Sequence, residues 1–402
     1  MATLDACIVT FNCARNQIRP DVFAPHLLSV TSSTPDLLVL CLQEIAPLAY
    51  AFLGGSFLTP YYNAFATAVN ITDAGYVNVI SRNVGLTSIM IFAKVDVASN
   101  ITWMDTGSTG VGVQETGHKG AVGVRIGYGE TVLTFVSAHL APAEDATQRR
   151  NQDFKAVAER LVFVAEQKHS VRDERDEDTP LLQSPARGTG AKGIYDPTTH
   201  LFVAGDLNYR TSSRPPTPED ALSFPQPTAD PKDPYHWSHL LKQDQLHKEV
   251  EAGRTLHGLH ESPIEFPPTY KYRNKEDVTQ DGERPWQWAT HRWPSWCDRI
   301  FYSPTNLKPH TYQALPLFDT SDHRPVALSV SIPLQSVSSS SWQEAPFKID
   351  PEWKAKRSAA RRKELAVGIV AYLTWTTEGQ CVLLATAIAA CGLGYILRSI
   401  TA

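Results

Sequence analysis

Cysteine is scarce and unpatterned in this 402-residue chain: Cys7, Cys13, Cys41, Cys297, Cys381 and Cys391 form no CxxC pair, and two lie in an apolar tail. Neither a disulfide framework nor a cysteine-based zinc site is implied, and a reducing, cytosol-facing location is expected. An excess of basic charge is also missing. Lys and Arg number 37 against 42 Asp and Glu, a net charge of −5, so no nucleic-acid partner is expected. The start, MATLDACIVTFNC, has no basic stretch followed by a long apolar run, and no signal peptide is expected. With 42% hydrophobic and 20% charged residues, the composition is that of a globular protein with room for one large domain and additions.

Residues 4–332 carry short apolar or alternating runs closed by turn residues: Ala6–Phe11, Leu37–Leu42, Thr87–Ala93, Val122–Ile126, Val132–Ser137, Leu201–Ala204, Arg299–Tyr302 and Val326–Ile332. Each predicts a strand. From Gln148 to about Gln167, Phe154, Val157, Ala158, Leu161, Val162 and Ala165 recur at helical spacing. Many strands with few helices predict two packed sheets with helices outside. A charged, Pro- and Gly-containing stretch over 171–193 reads as a mobile surface insertion.

Past residue 334 the character changes. Residues 335–363 are Ser-rich and then basic, with Lys354, Lys356, Arg357, Arg361, Arg362 and Lys363 close together, and predict a linker ending in a cationic collar. Residues 364–402 predict a membrane anchor, because Cys381–Leu397 is free of charge and near the lower limit for crossing a core of ~30 Å. Glu378 and Gly379 interrupt the apolar region, which leaves a re-entrant hairpin or a buried helix as alternatives. The basic collar puts its side of the span in the cytosol by the positive-inside rule.

Polar clusters fall where predicted strands end, and loops at strand ends are where such folds keep reactive groups. Asn12 follows the first strand, Gln43 and Glu44 the second, and His139 follows LTFVSA. Asp206 and Asn208 lie in GDLNYR, Asp298 opens a strand in RWPSWCDRIFY, and Asp322 and His323 lie in TSDHRPV. Oxygen ligands such as Glu44 and Asn12 suit a hard divalent ion, Mg²⁺. Histidines beside carboxylates suit proton transfer or charge stabilisation on a phosphate ester.

GDLNYR followed by PSWCDRI resembles the paired signature of inositol-polyphosphate 5-phosphatases. TFN, CLQEI, HKGAV, SAHLAP with QRRNQDF, FPPTYKYR and SDHRPV follow that family's order over residues 4–332. The resemblance extends to the tail-anchored fungal branch. It implies an α/β fold of the DNase I-like class, a four-layer sandwich of two mainly antiparallel sheets with helices outside, spanning 1–334 and followed here by a transmembrane helix. It further implies Mg²⁺ at Glu44 assisted by Asn12. Asp206 would orient or deprotonate the attacking water, and Asn208 would hold the scissile phosphate. His323 would bind that phosphate, oriented by Asp298, with His139 as a second phosphate contact and Asp322 close to the metal. Tyr270, Lys271, Arg299, Tyr209, Arg210 and Lys119 resemble the groups that hold the inositol ring and its other phosphate.

The sequence departs from the family in HKG, where His118 replaces an asparagine, and at Val203 and Ala204, where aromatics are usual. The activity implied is hydrolysis of the 5-phosphate of phosphatidylinositol 4,5-bisphosphate by a monomer. The 3,4,5-trisphosphate lipid and soluble inositol phosphates stay open as substrates. Other classes also stay open: a same-fold phosphodiesterase such as a nuclease or neutral sphingomyelinase, and a non-catalytic tether. A short span with few bulky residues suits the endoplasmic reticulum membrane, ~27 Å thick, with the catalytic domain cytosolic.

Overall fold

The computed structural model describes residues 2–165, 191–273, 286–337 and 344–401. The insertion expected over 171–193 lies, up to residue 190, outside them. The strands are β1 (Thr3–Asn12), β2 (Leu37–Gln43), β3 (Tyr76–Val84), β4 (Thr87–Lys94), β5 (Ile101–Gly110), β6 (Gly120–Tyr128) and β7 (Thr131–His139). They continue with β8 (Val164–Ala165), β9 (His200–Asp206), β10 (His260–Glu261), β11 (Asp298–Tyr302), β12 (Lys308–Ala314) and β13 (Val326–Pro333). A six-stranded sheet runs β12-β13-β1-β2-β4-β3 and a seven-stranded sheet β10-β11-β9-β7-β6-β5-β8. Within them the parallel pairs are β1 with β2 and β7 with β9, while the other neighbours run antiparallel.

The helices are α1 (Pro20–Leu27), α2 (Leu48–Leu53), α3 (Thr59–Ile71), α4 (Val95–Ser99) and α5 (Thr147–Arg160). After these come α6 (Pro218–Ala221), α7 (Ser238–Leu241), α8 (Gln245–Glu251), α9 (Trp353–Trp375) and α10 (Thr377–Thr401). Strand alternation builds the layers, because successive side chains point to opposite faces. Ala6 and Ile8 enter the core between the sheets with Val124, Phe135, Phe202 and Ile300. Cys7, Val9 and Phe11 face outward and pack against Phe23 of α1 and Phe65 of α3. On the far side, Val136, Leu201 and Val203 pack against Phe154 and Val157 of α5 and Leu246 of α8. Both sheets are therefore covered on both faces, which is why β2 is buried at every position and reads as a continuous apolar run.

Two expectations change. The helix predicted from Gln148 to Gln167 spans Thr147–Arg160, because Leu161 turns to an extended backbone and the chain goes on to form β8. The basic segment expected to be linker is mostly helix α9, seated against α2 and carrying buried Ala360, Glu364, Gly368 and Ala371 on one face. The apolar helix accordingly starts later than 364, at Thr377. Helix α10 over Thr377–Ser399 has a mean hydropathy of 1.9, is exposed apart from Gly379, and is long and apolar enough to cross a membrane.

Candidate active site

Register brings the polar strand ends together. Asn12 pairs with Gln43 at the end of β1 and β2. In the other sheet His139 is level with Asp206, and Asp206 with Asp298. This row requires a glycine before Asp206: a Cβ at Gly205 would lie 1.8 Å from the Ala138 carbonyl oxygen. The two rows face each other across one cavity of about 320 Å³, lined by Asn12, Glu44, Lys119, His139, Asp206, Asn208, Arg210, Tyr270, Lys271, Asp322 and His323, with Ala14, Arg15 and Pro142. Ala14, Arg15, Glu44 and Asn208 all hold positive φ there. Such left-handed non-glycine residues persist only where the surroundings over-determine them, and they cluster at functional sites.

Asp206 sits at the centre. Its Oδ2 accepts from Asn12 Nδ2 at 2.8 Å and lies 3.2 Å from His139 Nε2, while its Oδ1 accepts from the Asn208 backbone N–H at 3.1 Å. Burial alone would raise its pKa, but the His139 hydrogen bond and the charges of its neighbours, Lys119 and His323 among them, hold it well below the carboxylate range. Burial, then the Lys119 charge, pushes His139 toward its neutral form. The Lys119 ammonium makes a short contact with the same Nε2 that faces Asp206, and we attribute the Asp206 anion to the His139 hydrogen bond, Lys119 and His323 rather than to a cation at His139.

On the opposite wall, His323 Nδ1 meets Asp298 Oδ2 at 2.9 Å. Burial disfavours a charged imidazole, but the Asp298 carboxylate outweighs it and lifts His323 to about 9. Burial raises Asp298 as well. The pair holds one proton, which we place on His323. Asp298 is braced by Thr269 Oγ1, which donates to its Oδ2 at 2.7 Å. It thus lies behind His323 rather than on the cavity wall.

A cationic rim surrounds these groups. The Arg210 guanidinium stacks 4.5 Å over the Tyr270 ring and donates to both the side chain and the backbone carbonyl of Asn208. Arg210 Nη1 is buried with no hydrogen-bond partner among the described residues. The Tyr270 ring lies 4.5 Å from that of His323, and Lys271 pairs with Asp322. The Asn208 side chain is largely engaged: its Nδ2 donates to the Leu140 carbonyl at 3.1 Å, which leaves one N–H free to meet a ligand.

Glu44 and Asn12 form the oxygen-lined corner. Burial works against the Glu44 anion, but with His139 neutral the charges of Lys119 and Arg15 hold its carboxyl below the usual range. Arg15 Nε donates to Glu44 Oε2 at 3.0 Å, a contact the sequence did not single out, since nothing about Arg15 in NCARN marks it as facing the strand that follows. Among the described residues no three His, Cys, Asp or Glu side chains gather to hold a metal ion unaided. The Glu44 carboxylate, with the Asn12 Oδ1 that accepts from the Ala14 N–H at 3.0 Å and keeps a second lone pair, fits a hard divalent ion that retains most of its waters.

Two expected ligand groups lie elsewhere. Tyr209 is fully buried, its hydroxyl donating to Asn151 Oδ1 at 2.6 Å and its ring packed in the core beside α5. Arg299 is 1% exposed and bonded to Asp244 at 2.9 Å and to Glu261 at 2.5 and 2.6 Å. Neither side chain lines the cavity: Arg299 follows Asp298 on β11 and points the opposite way, while Tyr209 lies past the end of β9, where the positive φ of Asn208 turns the chain.

With this geometry in view, the chain belongs to Endonuclease/Exonuclease/phosphatase family 2, whose model matches residues 9–329. Within it the chain is similar to inositol polyphosphate 5-phosphatases. Inositol-1,4,5-trisphosphate 5-phosphatase 1 of Schizosaccharomyces pombe is 33% identical over 63% of this chain and 19% of its own length. Polyphosphatidylinositol phosphatase INP53 of Saccharomyces cerevisiae is 28% identical over 73% of this chain and 23% of its own length. The chain thus spans a fifth to a quarter of these longer relatives. The 5-phosphatase domain of SPsynaptojanin, solved with inositol (1,4)-bisphosphate and calcium, shares the fold at a TM-score of 0.63 and 24% identity, covering 91% of this chain and 92% of that one. A Cimex nitrophorin shares it at 0.54 and 18%, covering 83% of this chain and 100% of that one. At these identities the likeness is one of fold, and the fold alone does not choose a chemistry.

Proposed function

We propose that this chain is a magnesium-dependent phosphoinositide 5-phosphatase that converts phosphatidylinositol 4,5-bisphosphate to phosphatidylinositol 4-phosphate. The observation that carries the reading is the meeting of Asp206, His139 and the His323–Asp298 pair with Lys119, Arg210 and Lys271 in one cavity. An anionic base beside a protonated imidazole and a cationic rim matches what a phosphate ester needs, since its oxygens repel an incoming nucleophile.

Mg²⁺, held by Glu44 with Asn12, would polarise a phosphate oxygen and offset its charge. The protein's own groups do the rest. Asp206, kept anionic, orients the attacking water and receives its proton as the new P–O bond forms. Its low pKa makes orientation its larger share of the work. The bond from phosphorus to the ring oxygen breaks on the opposite side, and that oxygen regains a proton as product leaves. His323 faces the phosphate as an imidazolium and stabilises the growing charge, while Asp298 fixes its tautomer and direction. The unpartnered Arg210 Nη1 and the Lys271 ammonium are placed for the ring's remaining phosphate, where charge-assisted bonds are strongest. No covalent enzyme intermediate is needed.

The relatives' names include a soluble trisphosphate and a 3,4,5-trisphosphate lipid. The apolar helix α10 supports a lipid substrate on the enzyme's own membrane, and we place that membrane at the endoplasmic reticulum with the catalytic domain in the cytosol. Asp206→Ala and His323→Ala should each cut phosphate release from phosphatidylinositol 4,5-bisphosphate by about 10²-fold or more. Parent-level release by either purified variant would overturn the assignment. The same assay over a panel of phosphoinositides and inositol phosphates fixes the substrate.

A further inference from the structure

Helix α9 leads directly into the apolar helix α10, and while Lys354, Arg362 and Lys363 stay exposed, Arg357, Arg361 and Glu364 are turned toward the protein. Glu364 is fully buried at the helix's midpoint. Its Oε1 accepts from the Gly117 backbone N–H at 2.8 Å and from Arg357 Nη1 at 2.9 Å, and its Oε2 lies 3.4 Å from Arg361 Nη1. Arg361 in turn donates to the Phe52 and Leu53 carbonyls at 2.5 and 2.9 Å, capping the C-terminal end of α2. A buried carboxylate is costly unless charge and hydrogen bonds satisfy it, and here both do. Ala360, Gly368 and Ala371 on the same face allow the close seat: a Cβ at Gly368 would come 3.0 Å from Phe52 Cβ.

Gly117 begins the turn that delivers Lys119 to the active site. Its N–H is held by Glu364, and its carbonyl accepts from Leu86 N at 3.0 Å, whose own carbonyl accepts from Ile45 N at 3.3 Å, next to Glu44. The turn has hydrogen bonds of its own, with the Lys119 carbonyl accepting from the Val111 and Gly112 N–H groups at 2.8 and 3.1 Å, but the Gly117 N–H goes to Glu364. Gln114 and Glu115 both sit at positive φ, and a Cβ at Gly117 would lie 2.7 Å from Gly85 N. Two residues on, the Lys119 ammonium contacts His139 Nε2 and lies 3.7 Å from Glu44 Oε1.

We propose that Glu364 is a positioning residue for the active site. From α9 it fixes the Gly117 amide and thereby holds Lys119 against His139 and Glu44, so the helix that precedes the apolar span is a working part of the catalytic domain. The link to activity rests on the 5-phosphatase reading above, whereas the contact itself does not.

The test uses the full-length protein in detergent micelles with water-soluble inositol 1,4,5-trisphosphate, so that membrane geometry is not a variable. Glu364→Ala should speed amide exchange in the peptide 111–120 and lower kcat/KM about tenfold. Glu364→Gln, which keeps a carbonyl for the Gly117 N–H, should restore most of both. In a Lys119→Ala background the Glu364→Ala change should alter kcat/KM by less than about twofold, the signature of residues acting through one another. Unchanged exchange at 111–120 in both Glu364 variants would overturn the contact. Equal factors in the two backgrounds would overturn the route through Lys119. A parent protein that releases no phosphate from the trisphosphate would count against the 5-phosphatase reading, and the exchange result would still decide the role of Glu364.

Discussion

Asp298 and Arg299 are adjacent on β11 and do opposite things. Asp298 meets His323 at the cavity, while Arg299 turns away to join Asp244 and Glu261. Strand geometry forces this, and it separates a site residue from a structural one that the shared motif presents together. Arg299→Ala strands two buried carboxylates, one of them Asp244, whose Oδ1 already lacks a partner among the described residues. We expect a loss of about 3–5 kcal/mol in stability, read by denaturant unfolding. KM of the folded fraction should stay near the parent value, and a raised KM with an unchanged melting point would return Arg299 to the substrate. Arg15 shows the reverse lesson. It lines the cavity and braces Glu44, but only a left-handed turn at Ala14 and Arg15 puts it there.

Among the elements, the buried strands were legible because both of their faces are covered and their apolar runs are continuous. Besides the two-residue β8 and β10, the strands missed in the sequence, β3, β5 and β12, are polar: β3 and β12 form the edges of the first sheet, and β5 is flanked on one side only by the short β8. Edge strands carry polar residues that discourage further pairing, so the usual signal is weak there. By contrast β9 is buried from end to end, beginning with His200, whose Nδ1 contacts Thr305 Oγ1 at 2.6 Å. Burial pushes the His200 pKa down to about 4 from an ordinary 6.5. Between those values the unfolded chain binds the extra proton, so this stability is complete above pH 6.5 and is lost as pH falls toward 4. By pH 5 the loss should be about 2 kcal/mol. His200→Gln should flatten that limb of a melting-temperature profile from pH 7 to 5, and an unaltered slope would place the acid sensitivity elsewhere.

At the scale of the whole molecule, α9 and α10 divide a tail that composition presents as one apolar region with a basic approach. The break falls at Thr376, extended at ψ 147, where the Tyr372 carbonyl comes within 2.0 Å of where a Cβ on Gly379 would stand. A chain ending at residue 376 keeps Glu364 and Arg361 and loses the apolar helix. It should leave the membrane pellet for the supernatant and still hydrolyse inositol 1,4,5-trisphosphate at close to the full-length rate. Continued pelleting after a salt wash would show that α10 is not the anchor. A chain ending at 350 would be soluble too, but without α9 its rate should fall as it does in Glu364→Ala.

Several properties of this protein were settled by its sequence. Apolar runs of strand length demanded two covered sheets, and polar residues at the ends of those runs, in a fixed order of short motifs, named most of the residues that line the cavity. For Lys119, Arg210, Tyr270 and Lys271 it was the resemblance of the ordered motifs to inositol-polyphosphate 5-phosphatases that named them, and each motif carries its own strand and turn. Tertiary structure alone decided which neighbour in a motif faces the site, as with Asp298 against Arg299 and Arg210 against Tyr209. It also decided that Glu364, 247 positions from Gly117, reaches the turn that carries Lys119. Such contacts depend on how distant segments pack, and no periodicity within either segment records the partner it will meet.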